Sequence, residues 1–177
     1  MDSSKRTLIA VNLVGGFLVV GSYVWGFLLH PLEARYLWGG ISQKVVPLYI
    51  TSMVLATAGY LLFTGYFLFV FDPQKEKIHT QAGYKGLILL YWLILLPSAL
   101  WMPLTIWMLI SPGNLVWFAI RMALMLVGLG ALGIASVLWG IQPKSRWVWS
   151  SLLGCVFFCI QTVLLDALIW PNYFHLP

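Results

Sequence analysis

The sequence predicts an all-α integral membrane protein, a bundle of five transmembrane helices joined by short loops. Of its 177 residues, 61% are hydrophobic and 8% are charged, whereas a soluble domain carries about 25% charged residues. So few charges cannot cover a globule of this size, which excludes a water-soluble monomer. Five stretches reach the length of about 20 apolar residues that a membrane-crossing helix needs. We expect residues 1–177 to form one domain.

The five apolar stretches are each bounded by charged residues, proline or glycine. Arg6 precedes the first, His30 and Pro31 follow it, and the tripeptide Ser111-Pro112-Gly113 separates the third from the fourth. Helices are favoured over strands because backbone groups in hydrocarbon must be hydrogen-bonded within the chain. Barrel strands would also be about ten residues long and alternate in polarity. The predicted spans are residues 7–29, 46–71, 86–110, 114–140 and 147–170.

The basic residues outside the spans are distributed unequally between the two sides. Two of them, Arg35 and Lys44, lie on one side and seven lie on the other. Basic loops stay in the cytoplasm, so we expect a cytoplasmic N-terminus and a C-terminus on the opposite side, as an odd number of spans requires. No basic cluster is present that would bind nucleic-acid phosphates. The seven are Lys5, Arg6, Lys75, Lys77, Lys85, Lys144 and Arg146.

Two ionisable side chains fall within predicted spans, Arg121 in the fourth and Asp166 in the fifth. Charged groups in lipid are costly and mark function by default. At 1.5 Å per residue, Arg121 lies roughly 10 Å and Asp166 roughly 6 Å from the outer edge, so the two side chains can pair. Such a pair is either a fixed clamp between helices or a ligand- or proton-linked site. In the further alternative, Arg121 extends to the headgroups.

Polar and aromatic residues gather at the same outer end of the spans. Glu33 and Tyr36 follow the first span, and Trp38, Trp101 and Trp170 are among the tryptophans at comparable depth. One interpretation is an aromatic belt at the membrane interface. The other is a pocket that is lined by indoles and closed by the first outer loop.

The third predicted span contains two prolines, Pro97 and Pro103. Proline inside a helix removes a hydrogen bond and bends the helix, so we expect free space beside this span. Cys155 and Cys159 are four residues apart, which is not the spacing of a C-x-x-C redox pair, and we expect them to be core residues. The sequence predicts no metal site and requires no cofactor.

The layout resembles the translocator protein / tryptophan-rich sensory protein family. The segment Leu28-Leu29-His30-Pro31-Leu32-Glu33 resembles the start of the family's long first loop, and Pro47-Leu48 with Thr51-Ser52 resembles the start of its second helix. Leu100-Trp101-Met102-Pro103 resembles its Trp-x-Pro motif, and Asp166 has a loose counterpart in the last helix. The resemblance implies a pocket for porphyrin- or sterol-like ligands among five helices, closed by the first loop.

The leading hypothesis is a membrane-embedded binder or carrier of a small hydrophobic ligand, since apolar pockets with few polar anchors bind such molecules. One alternative is a structural subunit of a larger membrane complex, which would have no internal cavity. The chain is also able to pair with a second copy as a homodimer. Another is a membrane enzyme, such as an isomerase, that acts on a sterol or isoprenoid with Asp166 or Glu33 as the acid. We expect a binder rather than an enzyme. The predicted ligand-binding residues are Glu33, Tyr36, Trp38, Trp101, Pro103, Arg121 and Asp166.

Overall fold

Helices dominate the part of the chain that the structure describes. A computed structural model describes residues 3–71 and 83–174. Lys75 and Lys77, which contribute to the predicted orientation, lie outside the described residues. The helices are α1 (Ser3–Leu29), α2 (Pro31–Ala34), α3 (Val46–Gly65), α4 (Gly83–Ile110), α5 (Asn114–Gly140), α6 (Arg146–Cys159) and α7 (Trp170–Tyr173). Two of them continue as π-helix, α3 over Tyr66–Val70 and α6 over Ile160–Ile169.

The described residues contain five helices that are long and apolar enough to cross a membrane, which confirms the prediction of five long apolar helices. The predicted boundaries agree with the structure to within a few residues. The differences are largest at the start of the first span, where the helix begins at Ser3, and in the last span, where the helix continues without interruption through Ile160–Ile169 to Tyr173. The five helices are Lys5–Leu29, Val46–Val70, Lys85–Ile110, Asn114–Gly140 and Arg146–Tyr173.

The long helices pack in an order that differs from their order along the chain. α1 packs on α4, α4 on α5, α5 on α6, and α6 on α3. α1 and α3 therefore lie at the two ends of this series. They meet at the end of the bundle that carries Lys5, where the Tyr60 hydroxyl donates a hydrogen bond to Asn12 Oδ1. At the same end, Lys5 Nζ donates to the carbonyl oxygen of Phe71 over 3.0 Å.

The α3–α6 contact depends on two glycines that face each other. A Cβ atom at Gly59 would overlap the backbone carbonyl of Gly154, and a Cβ atom at Gly154 would lie 2.9 Å from the Cα of Gly59. Small residues allow helix backbones in membranes to approach closely. This crossing fixes the distance between α3 and α6 near the middle of both helices.

The core is densest in the half of the bundle nearest Lys5. Phe63, Phe67, Tyr91 and Leu138 are almost completely buried there. Polar groups in this region are paired, because the Tyr91 hydroxyl donates to Thr64 Oγ1 over 2.9 Å in a buried position. A smaller core surrounds Trp170 at the opposite end, which we call the Trp170 end.

The segment after α2 folds over the Trp170 end of the bundle. Leu37 is buried, and its carbonyl oxygen accepts a hydrogen bond from Trp170 Nε1 over 2.8 Å. Gly39 has a positive φ of 53°, and a Cβ atom there would collide with the backbone of Tyr173 and Phe174. A glycine suits this position because other residues rarely adopt such a conformation. The loop is thereby tied to α7.

Candidate functional site

A cavity of about 380 Å³ lies among the helices, between the dense core and the Trp170 end. All five long helices and the segment after α2 contribute to its lining. Ser98, Trp101 and Met102 are its α4 residues, and they fall between the two prolines of that helix. The space that the prolines predict beside the third span therefore coincides with this cavity. Its volume lies within the range of about 300–1,000 Å³ that is typical of small-molecule sites.

The exposure of two lining residues indicates that the cavity opens sideways, between α1 and α3. Phe27 of α1 and Met53 of α3 both line it, and their side chains are exposed on the outside of the bundle. A shallow apolar groove continues from this opening along α1, over Val20, Val24 and Leu28. The hydrogen bond between α1 and α3 described above, from Tyr60 to Asn12, lies nearer the Lys5 end.

The polar part of the lining centres on Gln161 and Asp166 in the π-helical continuation of α6. Gln161 Nε2 donates a hydrogen bond to Asp166 Oδ1 over 2.7 Å. In an α-helix, residues five apart point in directions that differ by about 140°. In a π-helix the hydrogen bonds join residues five apart, which brings the two side chains onto one face. The change in helix type therefore directs both groups into the cavity.

Two buried side-chain atoms in the described part of the chain have no hydrogen-bond partner in the protein, and both belong to cavity residues. They are Gln161 Oε1, an acceptor, and Trp101 Nε1, a donor. Buried polar groups are nearly always hydrogen-bonded, so unpaired ones are unusual. Elsewhere in the bundle, groups such as the Tyr91 hydroxyl are paired. The unpaired hydrogen-bonding capacity is thus concentrated at the cavity.

Aromatic rings form much of the cavity wall. The rings of Tyr23 and Trp101 are stacked with centroids 5.8 Å apart, and Trp170 meets Trp101 edge-on at 5.7 Å. On another side, Trp38 meets Tyr49 edge-on at 6.0 Å. The lining contains Asp166 but no Lys, Arg or His. The site is therefore an apolar, aromatic chamber with one carboxyl group.

The structure brings together three of the seven predicted ligand-binding residues. Trp38, Trp101 and Asp166 line the cavity. The rest are not part of the lining: Glu33 lies 3.8 Å from His30 Nδ1 at the start of α2, and Tyr36 is half-exposed. Pro103 follows the last α4 residue of the lining. Indoles and the segment after α2 line the cavity, while Trp107 is exposed on α4, as a belt residue would be.

Arg121 is the fourth predicted residue outside the cavity, and its predicted pairing with Asp166 is wrong. Arg121 is exposed on α5 and forms no ion pair with any described residue, while Asp166 is bonded to Gln161. Its neighbour Ile120 occupies the buried face of α5 and packs in the core around Trp170. Successive helical residues differ in direction by about 100°, so Arg121 points away from the bundle at a depth where it could otherwise have met Asp166.

Several cavity residues were not predicted from the sequence, notably Tyr23, Tyr49 and Gln161. Gln161 could have been identified as a candidate site residue, because it is a polar amide within the last apolar stretch and precedes Asp166 by five residues. That spacing does not place two residues on one face of an α-helix, which hid the relationship. The tyrosines resemble ordinary interfacial aromatic residues in a sequence of this composition.

The described residues contain no group of three or more His, Cys, Asp or Glu side chains that could hold a metal ion. Cys155 is buried in the dense core, and its Sγ lies 3.7 Å from the carbonyl oxygen of Ala131. No protein-family model, curated protein or solved structure matches the chain. The resemblance to the translocator protein family therefore stays a prediction, and the cavity itself is the basis for a functional inference.

Proposed function

We propose that the protein is a membrane-embedded binder or carrier of a small hydrophobic ligand, which occupies the cavity among its five helices. The observation that carries the proposal is the coincidence of an apolar cavity with the unpaired atoms Gln161 Oε1 and Trp101 Nε1. A ligand that donates a hydrogen bond would satisfy Gln161 Oε1, and a water molecule or an acceptor on the ligand would satisfy Trp101 Nε1. Apolar pockets with a few polar anchors bind small molecules in this way.

We further propose that the five helices cross a bilayer with the Lys5 end at the cytoplasmic face. The excess of basic residues at that end supports this orientation. Two of them also bind helix C-termini there, because Lys144 Nζ donates to the Leu138 carbonyl and Lys5 to that of Phe71. The cavity would then lie in the outer half of the membrane, and its side opening would face lipid. A ligand dissolved in the bilayer could enter without crossing water.

Of the two predicted ligand classes, the sterol-like one fits the lining better. Porphyrins carry carboxylates, which would face Asp166 in a cavity lined by no basic residue. Like charges that share a low-dielectric site repel each other strongly. A fused-ring or chain-like apolar molecule with a small hydrogen-bonding end has no such conflict. It would also fit the stacked wall of Tyr23 and Trp101.

The alternatives differ in how well the site supports them. A purely structural subunit is expected to have no internal cavity, so the cavity favours a binder. An enzyme acting on a sterol or isoprenoid has one supporting observation, the carboxyl group of Asp166 in the lining. Glu33, the other candidate acid, is outside the cavity. If turnover of such a substrate exists, Asp166→Asn should abolish it while leaving binding of the apolar body intact.

The proposal can be tested by photolabelling with a sterol that carries a diazirine in its side chain. Protein in phosphatidylcholine vesicles should be labelled at cavity residues such as Met53 and Phe158, and excess unlabelled sterol should suppress this labelling. Phe17 provides an internal control, because it is 82% exposed on α1 and is not part of the cavity lining. Labelling confined to Phe17 and similar outward residues, or labelling insensitive to competitor, would refute the proposal.

A further inference from the structure

We propose that the polar end of the ligand is a protonated amine, held by Asp166 and Gln161 within the aromatic chamber. This inference rests on the proposed function and specifies the chemistry of the ligand. The ligand is then an amphiphile with one cationic nitrogen and a hydrocarbon body.

The charge of the cavity favours a cation. Asp166 accepts one hydrogen bond from Gln161 and forms no ion pair with any described residue. A carboxylate removed from water is unfavourable unless it is paired. The cavity lining offers no Lys, Arg or His for that purpose. A cationic ligand supplies the missing charge, whereas an anionic one would add to the imbalance.

The hydrogen-bonding groups of the cavity match an ammonium group in particular. Gln161 uses its Nε2 to bind Asp166, which leaves the acceptor Oε1 buried and unpaired on a side chain that is 5% exposed. Asp166 and Gln161 both line the cavity, so two acceptor groups lie beside it. An ammonium group has several N–H donors and no acceptor, which suits such a pair. A single hydroxyl donor could satisfy only one of them.

The aromatic walls also suit a cation. A cation within about 6 Å of an aromatic ring centroid is attracted to the face of the ring, and tryptophan is the strongest partner. The same cavity is lined by Tyr23, Trp38, Tyr49, Trp101 and Trp170. These rings would therefore stabilise a cation that a purely aliphatic cavity would exclude.

The groove outside the cavity provides a place for the hydrocarbon body. From Phe27 the cavity continues into the groove along α1, whose lining is entirely apolar. An alkyl chain or ring system attached to the amine would leave through the opening between α1 and α3 and lie in this groove. The geometry thus separates a polar end at Asp166 from an apolar end at the lipid boundary.

The test compares dodecylamine with 1-dodecanol, which have the same chain and differ in the charged group. Full-length protein is placed in phosphatidylcholine nanodiscs, and binding in excess of that to protein-free nanodiscs is measured at equilibrium. Wild-type protein should bind the amine saturably and about tenfold or more tightly than the alcohol, the factor expected for hydrogen bonds to a charged group.

Asp166→Asn and Glu33→Gln form the matched variants. The Asn carboxamide oxygen can still accept from Gln161 Nε2, so the fold is expected to persist while the charge is lost. Asp166→Asn should lower the affinity for the amine by about tenfold and leave the affinity for the alcohol unchanged. Glu33→Gln, which removes an acid outside the cavity, should change neither of these two affinities.

Equal affinity of the wild-type protein for amine and alcohol would overturn the amine assignment and leave the proposed function standing. The absence of saturable binding of either molecule would overturn both. Replacing part of the phosphatidylcholine by phosphatidylethanolamine tests a membrane phospholipid as the source of the amine. We expect no competition, because its phosphate would meet no basic residue in the lining, and strong competition would overturn the assignment to an amine without a phosphate.

Discussion

The glycine pair at the α3–α6 crossing gives a quantitative prediction for the variant Gly59→Ala. The new methyl group would lie 2.8 Å from the carbonyl carbon of Gly154, which is 0.6 Å short of the 3.4 Å at which ordinary contact begins. The obstacle is backbone, so the helices must separate rather than adjust a side chain. Overpacking of this kind costs about 1–3 kcal/mol.

Gly65→Ala is the matched control for this variant. Gly65 lies on the same helix, and a Cβ atom there would have no atom within 4 Å. Each substitution gains about 1 kcal/mol from the higher helix propensity of alanine. The difference between the two variants therefore isolates the overlap, and we expect Gly65→Ala to be more stable by about 1–3 kcal/mol.

The assay is thermal unfolding in mild detergent, followed by tryptophan fluorescence. For a chain of this size, 1 kcal/mol corresponds to about 2–4 °C in the midpoint, so the two variants should differ by several degrees. Gly59 also lies three residues beyond Ala56, a cavity residue, so separation of the helices should weaken ligand binding as well. Equal midpoints for the two variants would refute the close crossing.

Three further predictions concern the loop, the outward arginine and the buried core. Gly39→Ala should detach the loop from α7 and speed its cleavage by protease, because the left-handed conformation costs other residues about 1–2 kcal/mol; a cleavage rate equal to wild type would argue against the docking. Arg121→Leu should leave ligand binding and the unfolding midpoint unchanged, because Arg121 points away from the bundle. A large loss of either would indicate that Arg121 does form an ion pair with Asp166. In a double-mutant cycle, Tyr91→Phe and Thr64→Val should show a coupling of about 1 kcal/mol, and additive effects would contradict their hydrogen bond.

The five helices could be predicted from the sequence because bilayer thickness imposes a length. An apolar run of about 20 residues matches the thickness of the hydrocarbon layer, and boundaries such as Ser111-Pro112-Gly113 are sharp. The short helix α2 and the π-helical continuations were not predicted. Hydropathy averages over many residues, so it does not register a change from i→i+4 to i→i+5 hydrogen bonds between Ile160 and Ile169.

The site was predicted less completely, for a related reason. The position of a residue along a helix follows from counting residues. Counting correctly placed Trp38, Trp101 and Asp166 at one end of the bundle. The direction in which a residue points is harder to infer. Lipid is as apolar as the interior of the bundle, so α5 shows no polar stripe that would mark its outer face. Arg121 could therefore be assigned a depth but not a side.

The central claim is that the cavity holds a small molecule taken from the membrane, and native mass spectrometry of the purified protein tests it most directly. Two variants are compared with the wild type: Ala56→Phe, which places a ring in the cavity, and Ala58→Phe, which places one on the exposed face of the same helix. Wild type and Ala58→Phe should retain one bound small molecule per chain after extraction in mild detergent, and Ala56→Phe should lose it. A bound mass that survives equally in all three, or that is absent from the wild type, would contradict the account.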